Sequence, residues 1–265
     1  MINYYKTHFT DLDKMLLGGF HPGSLVVIGA RPAMGKSTLM RNIYENFSYK
    51  ENISCNYLLL EESVDRFIFK IISSQSEVEF EKVITQDMSG EEFQRYLETS
   101  RRMKLNISSF ISYMEKDIDI ILNENSEKGV KVVFIDYLQL AIGESNDRYT
   151  DTYKLLTYLK RMAVEKGLCI VVSSQLSRKV EERTGHRPNI SDLRECGGIE
   201  EVADQILFIL RREYYDPMDK PGTAQIIIAK NRMGNIGDVT LSFRKDILQF
   251  SNYVPRKFCP DDFQP

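Results

Sequence analysis

The chain has 265 residues, 42% of them hydrophobic, and a formal net charge of −3. It is long enough for one large α/β domain with a full core, and it has no global basic field of the kind that announces nucleic acid. Four scattered cysteines without a Cys-x-x-Cys pair argue against a zinc site and fit a reducing compartment. No apolar run approaches membrane-spanning length and Met1–Lys6 is no signal peptide, so the sequence reads as soluble and cytoplasmic.

Apolar runs alternate with helix-period segments along the chain. The pattern predicts strands over Ser24–Ile28, Asn56–Leu60, Ile107–Phe110, Val130–Ile135, Leu168–Ser173, Gln205–Leu210, Thr223–Lys230 and Val239–Phe243. Helices are predicted over Lys36–Phe47, Ser63–Ser73, Gly90–Met103, Met114–Glu127, Asp151–Lys166 and Ile199–Ala203. Helices between the first five strands imply a parallel sheet with right-handed crossovers; the later strands follow one another through Gly- and Pro-bearing turns and read as antiparallel hairpins at one edge. Residues 1–23 form a lead-in, 24–251 a single domain, and 252–265, with three prolines, an irregular tail.

The densest signal is Ala30-Arg31-Pro32-Ala33-Met34-Gly35-Lys36-Ser37-Thr38, between the apolar run Leu25–Ile28 and a helical segment. Strand, glycine-bearing loop, Gly-Lys-Ser and helix is the order of a phosphate-binding loop. Such a loop turns backbone N–H groups onto phosphate oxygens, and the helix adds its positive N-terminal end. All nine residues are therefore candidate nucleotide contacts, with Lys36 reaching the β- and γ-phosphates and Ser37 holding Mg²⁺. Ala30 stands where these loops usually carry their first glycine, which a side chain tolerates only at negative φ.

Further along, Lys131-Val132-Val133-Phe134-Ile135-Asp136 matches a Walker B strand, with Asp136 at its carboxyl end able to hold Mg²⁺ through water. Glu61 and Glu62 follow another strand. One of them could polarise an attacking water, or both could be first-turn acids behind Ser63. Gln175 ends a strand too, and reads either as a γ-phosphate sensor or as an ordinary loop residue. Lys230 and Arg232, at i and i+2 on an extended segment, point to one side: a solvated basic hairpin, or charge delivered to another subunit's phosphates. The aperiodic stretch Leu176–Gly198 carries Arg178, Lys179, Arg183, Arg187 and Arg194 among acids. Without interleaved aromatics it suits a loop that tracks a single-stranded backbone, or simply a solvated one. A loop of this length is usually functional or mobile.

Phe9-Thr10-Asp11-Leu12-Asp13, the Ala30–Ser37 loop, Ile135-Asp136-Tyr137-Leu138-Gln139-Leu140, Ser174-Gln175-Leu176, Ser191-Asp192-Leu193-Arg194-Glu195 and Lys230-Asn231-Arg232-Met233-Gly234 together resemble the C-terminal, RecA-like ATPase domain of the DnaB family of replicative DNA helicases. The resemblance runs to about Phe250 and covers nearly the whole chain. It implies an α/β, RecA-like P-loop NTPase fold: a mainly parallel twisted sheet flanked by helices, with antiparallel strands at one edge. It implies a DNA helicase, a single-stranded-DNA translocase motor in DNA replication, with ATP hydrolysed at subunit interfaces.

Carried over by position, the resemblance makes Lys36 and Ser37 the phosphate and Mg²⁺ ligands, Asp136 the metal support and Glu61 the catalytic glutamate. Gln175 becomes the γ-phosphate sensor, Lys230 and Arg232 act on the adjacent subunit's nucleotide, and Arg178, Glu195 and Gly197 touch the DNA backbone. Ala30 is ordinary in this family. Leu59-Leu60-Glu61-Glu62 departs from the usual Ser-Leu-Glu-Met, and Cys196 stands where serine is common. The implied cofactors are ATP and Mg²⁺. The implied partners are single-stranded DNA, further copies of the chain in a hexamer, and a primase or helicase loader, with no membrane. Family members also carry a helical N-terminal domain and a linker helix. This sequence starts a few residues before the matching region and reads either as a trimmed piece of a longer protein or as a naturally short one, which Met1 favours. A second expectation follows, of a nucleotide-switched binding or regulatory module that joins a larger helicase without translocating itself.

Overall fold

The computed structural model describes residues 4–103, 105–109, 115–141, 147–193 and 198–255. A short helix α1 (Thr10–Met15) precedes strand β1 (Leu25–Ala30) and helix α2 (Lys36–Glu45), which runs on into a π-helical turn over Asn46–Lys50. Strand β2 (Cys55–Leu59) is followed by α3 (Val64–Ser76), α4 (Phe80–Thr85), α5 (Gly90–Arg102), β3 (Ile107–Ser109) and α6 (Glu115–Glu127). Next come β4 (Val132–Asp136), α7 (Leu138–Ala141), α8 (Arg148–Lys166) and β5 (Cys169–Gln175). One-turn helix α9 (Ile199–Val202) leads into β6 (Gln205–Leu210), β7 (Thr223–Asn231), β8 (Gly237–Arg244) and β9 (Gln249–Asn252).

These strands form one sheet in the order β3-β2-β4-β5-β1-β6-β7-β8-β9. Every pair from β3 to β6 is parallel, and β7, β8 and β9 add antiparallel. Parallel neighbours need long crossovers, which the helices supply; after β6 the chain reverses through residues 211–222, 232–236 and 245–248, so antiparallel strands accumulate at one edge. The carboxyl ends of β1, β2, β4 and β5 meet at one side of the sheet, with Ala30 level with Gln175 and Leu59 level with Asp136. Ligands of open α/β sheets bind at that side.

Strands β1, β4 and β6 are buried at every position, as a sheet covered on both faces requires. On one face Tyr44, Phe47, Tyr57, Phe67 and Phe134 form an aromatic cluster. Tyr57 stacks on Phe134 with ring centroids 5.6 Å apart, and Tyr44 meets Phe134 edge-on at 5.8 Å. The other face buries Leu25, Val27, Val133, Ile170 and Val172 against Leu122, Leu156 and Leu159 of α6 and α8. Helix α2, which opens at the candidate phosphate loop, is held by a buried ion pair between Arg41 and Glu45. Arg41 also donates to the carbonyls of Lys70, at 2.8 Å, and Leu248, at 2.5 Å, tying α2 to α3 and to the turn before β9.

The predicted strands fall on β1 to β8, and the predicted helices on α2, α3, α5, α6, α8 and α9. Phe110 and Met114, which bound one predicted strand and one predicted helix, lie outside the described residues. Helices α1, α4 and α7, each under two turns, and the four-residue strand β9 are not among the predicted elements. The segment before Ser24 joins the main core through Phe9, Leu12, Leu16 and Phe20. At the other end Asn252 is the last residue of β9, and residues 256–265 lie outside the described residues.

Between Gln175 and Leu193 the aperiodic stretch makes three 3₁₀ turns, Arg178–Val180, Thr184–His186 and Ile190–Asp192. Two arginine–carboxylate forks brace it: Arg183 on Asp192 at 2.8 and 2.9 Å, and Arg187 on Asp238 at 2.7 Å through both nitrogens. Arg183 and Arg187 are thus committed to carboxylates of this chain. Arg178 and Lys179 stay exposed, and Arg194 lies outside the described residues.

Phe134 sits at the centre of the aromatic cluster, so Phe134→Ala should cost about 3–5 kcal/mol of unfolding free energy. Urea denaturation would show this as a lower midpoint at unchanged slope. A loss below about 1 kcal/mol would contradict the packing described.

Candidate active site

Between β1 and α2, residues 31–35 turn the chain, with positive φ at Ala33 (64°) and Gly35 (92°). Ala30 is the last residue of β1 and needs no glycine. Gly35 has a second constraint, since a Cβ there would lie 2.9 Å from the ring of Phe250. The turn frames a cavity of about 280 Å³ lined by the loop together with Glu61, Tyr137 and Gln175. Of the nine loop residues Met34 is the exception: its side chain is buried in the first core rather than facing the cavity.

Lys36 reaches across the cavity floor. Its Nζ donates to Oδ1 of Asp136 at 2.9 Å and to Oγ of Ser173 at 2.6 Å, and lies 5.0 Å from the centroid of the Tyr137 ring. Ser173 Oγ is also 2.6 Å from Asp136 Oδ1, and the Tyr57 hydroxyl donates to Asp136 Oδ2 at 3.1 Å. Burial pushes the Asp136 carboxyl up in pKa. The Lys36 ammonium and the hydroxyls of Ser173 and Ser37 pull harder, and the net result lies below the ordinary carboxylate value. Burial and the Asp136 charge together keep the Tyr57 phenol protonated far above its usual range, so it stays a donor. Ser173 and Tyr57 were missed from sequence. A serine and a tyrosine inside an apolar strand read as core, and the only available signal was that Ser173 lies two residues before the strand tip.

A second cavity of about 280 Å³ adjoins the first and is lined by Ser37, Leu59, Glu61, Glu62, Arg66, Lys70 and Asp136. The two adjacent acids differ here. Glu62 is bound to Lys70 on α3 at 2.5 Å, whereas Glu61 is exposed and lines both cavities. No group of three or more His, Cys, Asp or Glu able to hold a metal occurs among the described residues. One carboxylate with a hydroxyl beside it is a poor all-protein metal cage, but it suits Mg²⁺, which keeps its waters and leans on substrate phosphates.

Of the remaining predicted residues, Lys230, Arg232 and Arg178 do not line this cavity. Lys230 and Asn231 are the last residues of β7. Lys230 Nζ donates to the α9 carbonyl of Glu200 and, at 2.7 Å, to that of Ala203. Arg232 donates to the carbonyl of Glu201 at 2.5 Å and pairs with Asp204 at 3.4 Å. Burial, and then the neighbouring Arg232 charge, lower the Lys230 pKa. Arg178 is exposed on the first 3₁₀ turn after Gln175, and Glu195 and Gly197 lie outside the described residues.

A phosphate loop at the end of the first strand of a mainly parallel sheet, with a strand-end aspartate beside its lysine, defines a nucleotide-binding protein of the RecA-like class. The chain belongs to the DnaB-like helicase C-terminal domain family, whose model matches residues 5–252. It is 35% identical over 264 residues to the replicative DNA helicase DnaB of Buchnera aphidicola subsp. Baizongia pistaciae, covering 96% of this chain and 56% of that protein. The replicative DNA helicase DnaB of Haemophilus influenzae is 34% identical over 269 residues, covering 97% of this chain and 57% of that protein. Among solved structures the chain is similar to a DnaB-like replicative helicase described with its interactions with primase, with a TM-score of 0.88, 31% identity, and 96% of this chain and 64% of that one covered. The chain spans about half the length of the curated relatives it matches.

The Asp136 pKa gives a test with a definite sign. In the wild type the lowered value adds stability that is present above the unfolded carboxylate value, about 3.9, and lost as pH falls through the folded value. Lys36→Met removes the largest opposing charge and leaves burial to raise the pKa, so the variant is penalised most where the carboxylate must stay ionised. The melting-temperature deficit of Lys36→Met should therefore shrink as pH falls from about 7 to about 4. A deficit independent of pH contradicts the pairing.

Proposed function

We propose that this chain is the ATP-hydrolysing motor domain of a replicative DNA helicase, a cytoplasmic homo-oligomer, hexameric in its working form, that moves along single-stranded DNA. One observation carries the reading. Arg232 N donates to Asp204 O and Asp204 N to Leu25 O, each at 2.9 Å, so the Lys230/Arg232 pair sits beside the first residue of β1. The phosphate loop leaves from the last residue of the same strand. At roughly 3.3 Å per residue the two lie on the order of 17 Å apart, beyond an arginine's reach. A nucleotide that Arg232 touches therefore belongs to a second copy of the chain.

In this reading Lys36 exchanges the Asp136 carboxylate for the β- and γ-phosphate oxygens, and backbone N–H groups of residues 31–35 hold the remainder. Ser37 and Asp136 would hold Mg²⁺, which when bound neutralises charge on those oxygens. Glu61, free of the lysine that engages Glu62, takes a proton from the water as its oxygen bonds to the γ-phosphorus and the bond to the bridging oxygen breaks. Gln175 touches the γ-phosphate. Lys230 and Arg232 of the neighbouring copy stabilise the charge that develops. The nucleoside end has room in a larger cavity of about 970 Å³ that starts at Arg211, whose guanidinium donates to Ala33 O at 3.2 Å and stacks over Phe243. Single-stranded DNA is contacted through Arg178, Glu195 and Gly197. A primase, named with the DnaB-like neighbour, and a helicase loader are the proposed protein partners.

Glu61→Gln should lower the hydrolysis rate by about 10²–10⁴-fold while Glu62→Gln stays close to wild type. Arg232→Ala should be equally inactive alone. Mixed with Glu61→Gln it should regain activity, because hybrid interfaces then pair an intact Glu61 with an intact Arg232. No recovery on mixing contradicts a site shared between copies.

A further inference from the structure

Arg31 belongs to the phosphate loop and lines its cavity, and its guanidinium is held by residues that follow β5. Nη1 donates to the carbonyl of Leu176 at 2.8 Å, and Nε and Nη2 both reach Oε1 of Glu181, at 2.9 and 2.8 Å. The side chain is only 11% exposed, against 44% for Glu181. In the opposite sense, Leu176 N donates to the carbonyl of Ala30 at 3.1 Å. Leu176 is thus gripped at its N–H and its C=O by consecutive residues of the phosphate loop.

What lies on either side of Leu176 gives this grip its meaning. Gln175 precedes it and lines the phosphate cavity. The turn that exposes Arg178 follows it, and Glu181 lies one residue past that turn. Leu176 also bridges to Leu193, the last described residue before Glu195 and Gly197, and Ser177 N donates to Asp192 O at 2.8 Å. A half-exposed ion pair adds little to stability. A planar arginine fork fixed on one carbonyl and one carboxylate is nonetheless a stiff geometric link, which a lysine cannot reproduce.

We propose that Arg31 is a positioning residue that transmits the nucleotide state of the phosphate loop to the Arg178 turn, with Glu181 as the receiving end. The inference rests on the single-stranded-DNA reading above and names the contact that couples its two sites. Displacement of the phosphate loop carries Leu176 and Glu181 with it, and so re-aims Arg178. Such a contiguous, hydrogen-bonded strut is the physical form a coupling between two sites requires.

The test is the affinity for a fluorescent oligo-dT, by anisotropy, in ADP and in a non-hydrolysable ATP analogue. The ratio of the two dissociation constants reports coupling, expected for the wild type in the roughly 5- to 150-fold range. Glu181→Gln should bring the ratio toward one with its melting temperature and nucleotide affinity unchanged. Arg31→Lys should also bring it toward one, and the double variant should do no more than either single one. A wild-type ratio in the single variants, or additive losses in the double, overturns the strut while leaving the translocase reading intact. A wild-type ratio of one contradicts that reading and removes the inference with it.

Discussion

A buried lysine–carboxylate contact organises this molecule. Asp136 is 5% exposed, and a carboxylate in such a place is tolerable only when paired and hydrogen-bonded. Lys36 from the loop after β1, Ser173 from β5 and Tyr57 from β2 supply what is needed. Each partner comes from a different element, so the contact forms only if β2, β4, β5 and β1 lie side by side in the observed register. The same constraint builds the nucleotide site. The group that neutralises Asp136 in this structure is the one a phosphate loop aims at phosphate, and on the proposed reading the carboxylate would then support a hydrated Mg²⁺.

The sheet also separates two groups of residues that the proposed mechanism brings together. The phosphate loop, Glu61 and Gln175 gather at the carboxyl ends of the parallel strands, while Lys230 and Arg232 hang from the edge hairpin beside the start of β1. In this structure their cationic ends rest on the carbonyls of Glu200, Glu201 and Ala203, at the end of α9. That helix begins just after the stretch holding Glu195 and Gly197.

Legibility in the sequence follows how local the physical demand is. The phosphate loop needs particular residues at consecutive positions, and an aspartate ending an apolar strand needs no tertiary knowledge to be noticed. Glu61 and Glu62 were inseparable because only Lys70, on the far side of a helical turn, distinguishes them. Ser173 and Tyr57 look like core in a strand, and become site residues only when β4 lies between them. Arg31 sits in the motif, but its partners Leu176 and Glu181 lie 145 and 150 residues away, which no motif encodes. Arg183 and Arg187 read as available cations until Asp192 and Asp238, one of them 51 residues away, are seen to claim them.

On the proposed reading one copy of this chain holds only half of its catalytic site, so the decisive measurement is specific ATPase activity across a dilution series in oligo-dT, with light scattering reporting the oligomer at each concentration. A shared site predicts activity that tracks the oligomer and vanishes in the monomer. A monomer with undiminished specific activity would contradict it.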